Sequence, residues 1–334
     1  MRFDIRYHTR FTYEPGVSES HNELRACPIT DEHQRLVTYR VGVSPAARPL
    51  SFTDYWGTRV DAFGVRGSHD ALEVVAEATV ETEPRDDRPS GSTHADLDVP
   101  DFVARHHEFL QPTRHTEWDD HLRALATERA HAAGPTVVDA VAGIHDLVRE
   151  SLRYVTGSTD IGIPATEVLR GGVGVCQDYA HLMVALCRSV GIPARYVSGY
   201  LFTADDSTGA EADRPVVRVQ THAWVETAIP HSGWRALDPT NGRSVGELHV
   251  KVGHGRDYDD VSPFRGVYQG VSAVTLDASV EIRRGESMLG GPGFATSAAW
   301  ADGAGSPLRV TLGARAPIAM PALDQEQQQQ QQQQ

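Results

Sequence analysis

Lysine is almost missing from this chain of 334 residues: it occurs once, at Lys251, and arginine supplies the rest of the 31 basic residues. With 45 acidic residues the formal net charge is -14. That excludes a protein that binds nucleic acid by neutralising phosphates, which needs a basic face. Cysteine is scarce too, and Cys27, Cys176 and Cys187 are widely spaced. An odd, scattered set is no disulfide framework and fits a reducing compartment. No apolar run approaches the roughly 20 residues of a membrane helix. The opening MRFDIRYHTRFTYEP alternates polar and apolar residues and lacks the apolar core of a secretory leader. A cytoplasmic protein is expected, with neither nucleic acid nor membrane as partner.

Metal-ligand spacing is also lacking. His106, His107, His115, His121 and His131 crowd one region, but none has a cysteine or acidic partner at zinc spacing. The acids within residues 203–215 fail the calcium-loop pattern, because glycine and the terminal glutamate are misplaced. No metal and no other cofactor is expected.

What is present is a globular composition, 40% hydrophobic and 23% charged, on a chain long enough for two domains. Residues 1–83 carry short alternating runs, beginning with Phe3, Ile5 and Tyr7 and recurring at 36–43, 59–65 and 72–80. These predict an antiparallel β-sandwich module. Asn22, Glu23, Leu24 and Arg25 fall between runs and read as a solvated loop. Residues 84–100, rich in proline, charge and small polar residues, read as a linker. The core, residues 101–285, starts with helical spacing at 101–110, 119–133 and 137–154. Strands follow at 195–202, 216–229 and 234–238, then an ordered but irregular loop over 252–270 and a final strand at 271–282. Residues 286–334 end in a glutamine run and have little to bury, so a disordered tail is expected.

The most informative stretch is GGVGVCQDYAHLMVALCRSVGIPARYVSGY, residues 171–200. Ala180, Met183, Val184, Cys187 and Val190 recur at helical steps, and Gly191, Ile192 and Pro193 end the helix. Cys187 lies on the apolar stripe and reads as core. Cys176 instead opens the helix behind three glycines, where unpaired amides and the macrodipole favour a thiolate. A bridge between the two is excluded, since 11 helical residues at about 1.5 Å each separate them by roughly 16 Å.

A thiolate nucleophile needs a base that also protonates the leaving group, and a third group to fix that base's tautomer. His222, in THAWVE, and Asp238, in ALDPTNG, supply both from two strands of one hairpin. If the turn at Pro230, His231, Ser232 and Gly233 has two central residues, His222 and Asp238 fall on opposite faces, so a one-residue shift or bulge is required.

The blocks GVCQDYAHLMVALCRSVGIPARYVSGYL, THAWVET, GWRALDPTNG and GRDYDDVSPFRGVYQG together resemble the bacterial transglutaminase-like family over roughly residues 1–283. The resemblance implies an α+β fold: a papain-like core, helices packed on an antiparallel sheet, behind an N-terminal β module. It implies Cys176 as nucleophile, His222 as general base and acid, Asp238 as orienting carboxylate, and the Cys176 amide in an oxyanion hole. Tyr154 and Gln177 are candidates for the second donor. Asp178 and Tyr179 match the pattern, with capping and core roles expected, and Arg256, Asp257, Tyr258 and Arg265 match a loop where structural salt bridges are expected.

The expected reaction is acyl transfer: Cys176 forms a thioester with an amide or glutamine carboxamide of a protein or peptide, and an amine or water resolves it. With water as acceptor the enzyme is an amidase or cysteine peptidase. A non-catalytic binding module is the rival of another class; loss of a triad residue would mark it, and none is lost. Trp224 and Trp234 are the apolar side chains available to wall an acceptor channel against water.

Overall fold

In the computed structural model, which describes residues 1–85, 90–159, 162–202, 216–270, 273–285 and 310–312, the N-terminal alternation becomes one long strand, β1 (Arg2–Leu24). Phe3, Ile5 and Tyr7 are buried on one face of it. β2 (Gln34–Ser44) and β3 (Leu50–Thr53) pair antiparallel with β4 (Arg59–Thr82), which also runs beside β1. The runs at 59–65 and 72–80 are thus parts of one strand, with register shifts against β1 between Thr12 and Glu19. Asn22, Glu23 and Leu24 are not a loop. They end β1, and Asn22, Leu24 and Arg25 are buried because β4 and a later strand pair with β1 on both sides.

The stretch read as a linker contains a short helix, α1 (His94–Leu97), with Leu97 buried. α2 (Pro100–Arg105) starts on proline and breaks at His106, and the rest of that expected helix is a 3-10 turn from His107 to Leu110. α3 (Asp120–Ala133) and α4 (Val137–Ser151) begin at polar caps. Asp119 accepts from Leu122 N at 2.9 Å, and Thr136 and Asp139 cap each other's backbone amides at 3.1 Å. β5 (Arg153–Tyr154) takes the residues expected to finish α4. After α5 (Ala165–Gly171), β6 (Val173–Gly174) pairs with β5 in parallel. α6 (Cys176–Ser189) was expected to bury one face, yet every residue from Asp178 to Arg188 is buried. It is the central helix of the core, packed among other helices and the sheet.

β7 (Ala194–Leu201) lies in the core sheet, while β8 (Val216–Val219) leaves it. β9 (His222–Ile229), β10 (Gly233–Asp238), β11 (Arg243–Ser244) and β12 (His249–Gly255) complete five antiparallel strands in the order β11-β10-β9-β7-β12. The segment read as an ordered but irregular loop is regular structure: it holds the end of β12, then α7 (Tyr258–Val261) and β13 (Phe264–Gln269). β13, β14 (Ala273–Gly285) and β8 join the N-terminal sheet, β13 and β14 pairing with β1 and β8 with β14. The final strand expected with the core therefore belongs to the N-terminal sheet, where the long β1 offers a free edge along Arg2–Glu14. β15 (Val310–Leu312) pairs with β14. The expected loop at 203–215 and the rest of the tail from 286 lie outside the described residues. Among the described residues no helix is long and apolar enough to cross a membrane.

Helices packed on antiparallel sheets make this an α+β fold. The N-terminal strands form one hydrogen-bonded sheet, and its buried face shares a core with Tyr200, Phe202, Val250 and Val252 of β7 and β12 and their flank. The Gln34 amide clasps the backbone of Lys251, donating to its carbonyl and accepting from its N–H, each at 2.8 Å. Tyr200 Oη donates to Ala26 O at 2.9 Å. Below this seam Glu226 Oε2 accepts from Arg195 Nε and from Lys251 Nζ, each at 2.6 Å. The single lysine is thereby 3% exposed and consumed in a buried ion pair.

Candidate active site

Two glycines set up the cysteine helix. Gly172 ends α5 in the left-handed region, with φ of 64°, and its N–H returns to Val168 O. A Cβ on Gly174 would stand 2.8 Å from that of Asp178. The space is needed because Asp178, 1% exposed, folds back to accept from Val175 N at 2.8 Å and Thr159 Oγ1 at 2.6 Å. Asp178 thus caps α6, and Tyr179, which donates to Leu152 O at 2.9 Å, packs in the core. Cys176 becomes the first residue of α6, half-buried, with Sγ 4.0 Å from the carbonyl O of Thr221, the residue before His222, and near enough to the His222 ring to act on its charge. Cys27 and Cys187 are buried, and burial pushes both thiols up to about 12.

The hairpin supplies the other two groups, and its turn resolves the register. Ile229 pairs with Gly233, leaving three turn residues, Pro230, His231 and Ser232, with His231 at φ of 64°. That third residue is the required one-residue shift. Trp234 then pairs with Ala228 and Leu237 with Val225, so Asp238 comes level with Trp224 and on the same face as His222. No bulge at Pro239 is involved.

His222 Nε2 lies 2.8 Å from Asp238 Oδ2, which leaves Nδ1 for the sulfur. Asp238 has no exposed surface, and Oδ2 also accepts from Asn241 Nδ2 at 2.7 Å and faces His249 Nε2 at 3.1 Å. Oδ1 accepts from the backbone of Thr240 at 3.1 Å and Asn241 at 3.2 Å. Burial alone would raise this carboxyl, but the donors and the His222 charge hold it well below the usual carboxylate range. Burial would likewise lower His222, yet the hydrogen bond to Asp238 and the neighbouring Cys176 sulfur push it up to about 10. Near neutral pH the ring is therefore an imidazolium between carboxylate and sulfur.

His249 and Asn241 went unnoticed in the sequence, where a histidine opening a strand and an asparagine in a turn carry no signal. Burial lowers His249, so it is neutral. Its Nδ1 accepts from Gly246 N at 3.3 Å, which puts the proton on Nε2, towards Asp238. His145 of α4 adds a 3.3 Å contact to the Asp238 carbonyl.

The remaining candidates separate. Tyr154 is 51% exposed, whereas Gln177 is half-buried. Trp224 has no exposed surface and packs 6.2 Å from the His222 ring and 5.4 Å from that of His249. Trp234 is 12 residues from His222 through the hairpin. Paired with Ala228, it lies about 20 Å along the strand at 3.3 Å per residue. There it stacks under Arg195 at 3.9 Å, walling no channel at the thiol. Arg256 pairs with Asp260 at 2.9 Å, a salt bridge of the kind expected of that segment, whereas Asp257 caps α7 and Arg265 is exposed on β13.

Residues 123–239 match the Transglutaminase-like superfamily and residues 3–81 the Bacterial transglutaminase-like N-terminal region. An uncharacterized protein of Mycobacterium leprae is 36% identical over 283 residues, which cover 85% of this chain and 99% of that protein. A protein-glutamine gamma-glutamyltransferase of Pseudomonas aeruginosa is 33% identical over 122 residues, 35% of this chain and 18% of that protein. Among solved structures, a candidate cysteine protease from Cytophaga hutchinsonii superposes with a TM-score of 0.67 at 25% identity, covering 84% of this chain and 90% of that one. The chain belongs to the bacterial transglutaminase-like family, a fold of thiol acyl-transfer and hydrolase type.

Proposed function

We propose that the protein is a thiol enzyme that forms a Cys176 thioester with a carboxamide or amide of a protein or peptide and passes the acyl group to water or an amine. The observation that carries this reading is the gathering of Cys176, at the head of α6, with His222 and the buried Asp238, whose Oδ2 lies 2.8 Å from His222 Nε2. Cys176 Sγ attacks the carbonyl carbon as a thiolate, and the oxyanion that forms can take the unpaired amide of Cys176 at the head of α6. The C–N bond then breaks, and the His222 imidazolium gives its proton to the departing ammonia or amine. The neutral ring next takes a proton from water or an amine as that acceptor attacks the thioester, releasing the thiolate. Asp238 holds the tautomer throughout.

Water is the acceptor this reading favours. Favouring an amine over water at about 55 M calls for a dry acceptor channel, and Trp224 and Trp234 are used elsewhere. The free thiols fit a reducing compartment, so we place the reaction in the cytoplasm. The test supplies a glutamine-containing peptide and an isopeptide, each with and without a labelled primary amine. Ammonia release, cleavage and amine incorporation are followed by mass spectrometry, with Cys176→Ala as control. Hydrolysis lost in the variant is expected. Efficient incorporation at millimolar amine would overturn the preference for water, and no product across a broad panel would favour the binding module.

A further inference from the structure

Away from the catalytic cluster, three side chains from distant parts of the chain converge: His115, ahead of α3, and Asp257 and Asp259, at the start of α7. One ligand atom from each lies within 4.8 Å of the other two. His115 is 1% exposed, yet neither of its ring nitrogens has a hydrogen-bond partner. Its Nε2 stands 3.1 Å from Asp259 Oδ2, near enough for a hydrogen bond but out of line for one. An unpaired buried imidazole is costly. Two groups that approach without pairing fit a third body between them.

We propose that His115, Asp257 and Asp259 bind a first-row divalent transition ion, with zinc the best fit. Two carboxylates balance the charge of such an ion, and the imidazole nitrogen selects against calcium and magnesium, which take oxygen ligands. Asp257 is 4% exposed and oriented by the Asp259 amide, which donates to its Oδ1 at 2.8 Å. Asp259, with its side chain 55% exposed, gives the ion an entry path and room for water as a further ligand. Tyr258, between the two carboxylates, donates its N–H to His181 Nε2 at 3.1 Å. His181 belongs to α6, five residues after Cys176, and its ring stacks on His115 at 4.9 Å and 8°. The ion would tie α7 and the segment before α3 to the catalytic helix.

The test uses the full-length Cys176→Ala protein, which removes the thiol as a competing ligand. Zinc binding is measured by equilibrium dialysis, cobalt binding by its visible absorption, and thermal unfolding is followed with zinc, cobalt, calcium and magnesium in turn. One zinc or cobalt ion per chain is expected, raising Tm where calcium and magnesium do not. In that background Asp259→Asn and His115→Gln should each weaken binding by about tenfold or more. Asp259 is the more exposed of the two, so its variant keeps the test valid if His115→Gln fails to fold. Lack of stoichiometric binding overturns the proposal. So does binding that survives Asp259→Asn unchanged, or binding abolished by His249→Gln, which would place the ion at the catalytic carboxylate.

Discussion

His249 presents its Nε2–H to Asp238 Oδ2 at 3.1 Å, the same oxygen that holds His222 at 2.8 Å. The orienting carboxylate therefore serves a charged histidine and a neutral one. A buried carboxylate with several donors is a rigid hydrogen-bond anchor.

Removing the His249 donor should weaken that anchor. A hydrogen bond to a charged group contributes about 1.5–3 kcal/mol, so His249→Phe is expected to lower kcat roughly ten- to hundredfold by the ammonia-release assay. His249→Gln can still donate and should keep most of the activity. An equal loss in both, with circular dichroism unchanged, would show that His249 only fills space.

The three thiols should separate on alkylation. Native protein treated with iodoacetamide at neutral pH is expected to carry label at Cys176 alone, since Cys27 and Cys187 are buried with thiols pushed up to about 12. Peptide mapping of the wild type and of Cys176→Ala checks this, and label on Cys187 in the folded protein would contradict the assignment.

His222 makes the stability of the fold depend on pH. Its proton is held more tightly in the folded state, up to about 10 against 6.5 for the free side chain. The stabilisation is fully present below pH 6.5 and is lost as pH rises through 10. The Tm difference between wild type and His222→Gln should therefore be largest near pH 6 and shrink towards pH 10. In Cys176→Ala the ring loses one of its supports, so its titration, read by NMR, should move down from about 10.

The seam between the two sheets should also reach the site. Gln34 clasps Lys251 of β12, the strand that His249 opens. Gln34→Ala leaves the buried Lys251 amide unpaired and is expected to destabilise the protein by about 1–3 kcal/mol in urea unfolding. Activity should fall with it at temperatures where the chain is still folded. Unchanged activity would mean that the N-terminal sheet does not help position His249.

The sequence by itself determined which residues could do chemistry at the thiol. Glycines ahead of an amphipathic helix place Cys176 at its start, and two adjacent strands carry His222 and Asp238, because helical period, strand alternation and turn residues are local properties written into neighbouring positions. Tertiary structure decided whether those groups meet. The third turn residue at Pro230 to Ser232 puts His222 and Asp238 on one face, and a strand alternation read alone cannot count the residues a turn leaves unpaired. Tertiary structure also decided that β14 joins the N-terminal sheet, that His249 joins Asp238, and that His115 lies against residues more than 140 positions later. Contacts at such separation depend on how whole elements pack, and no local spacing encodes them.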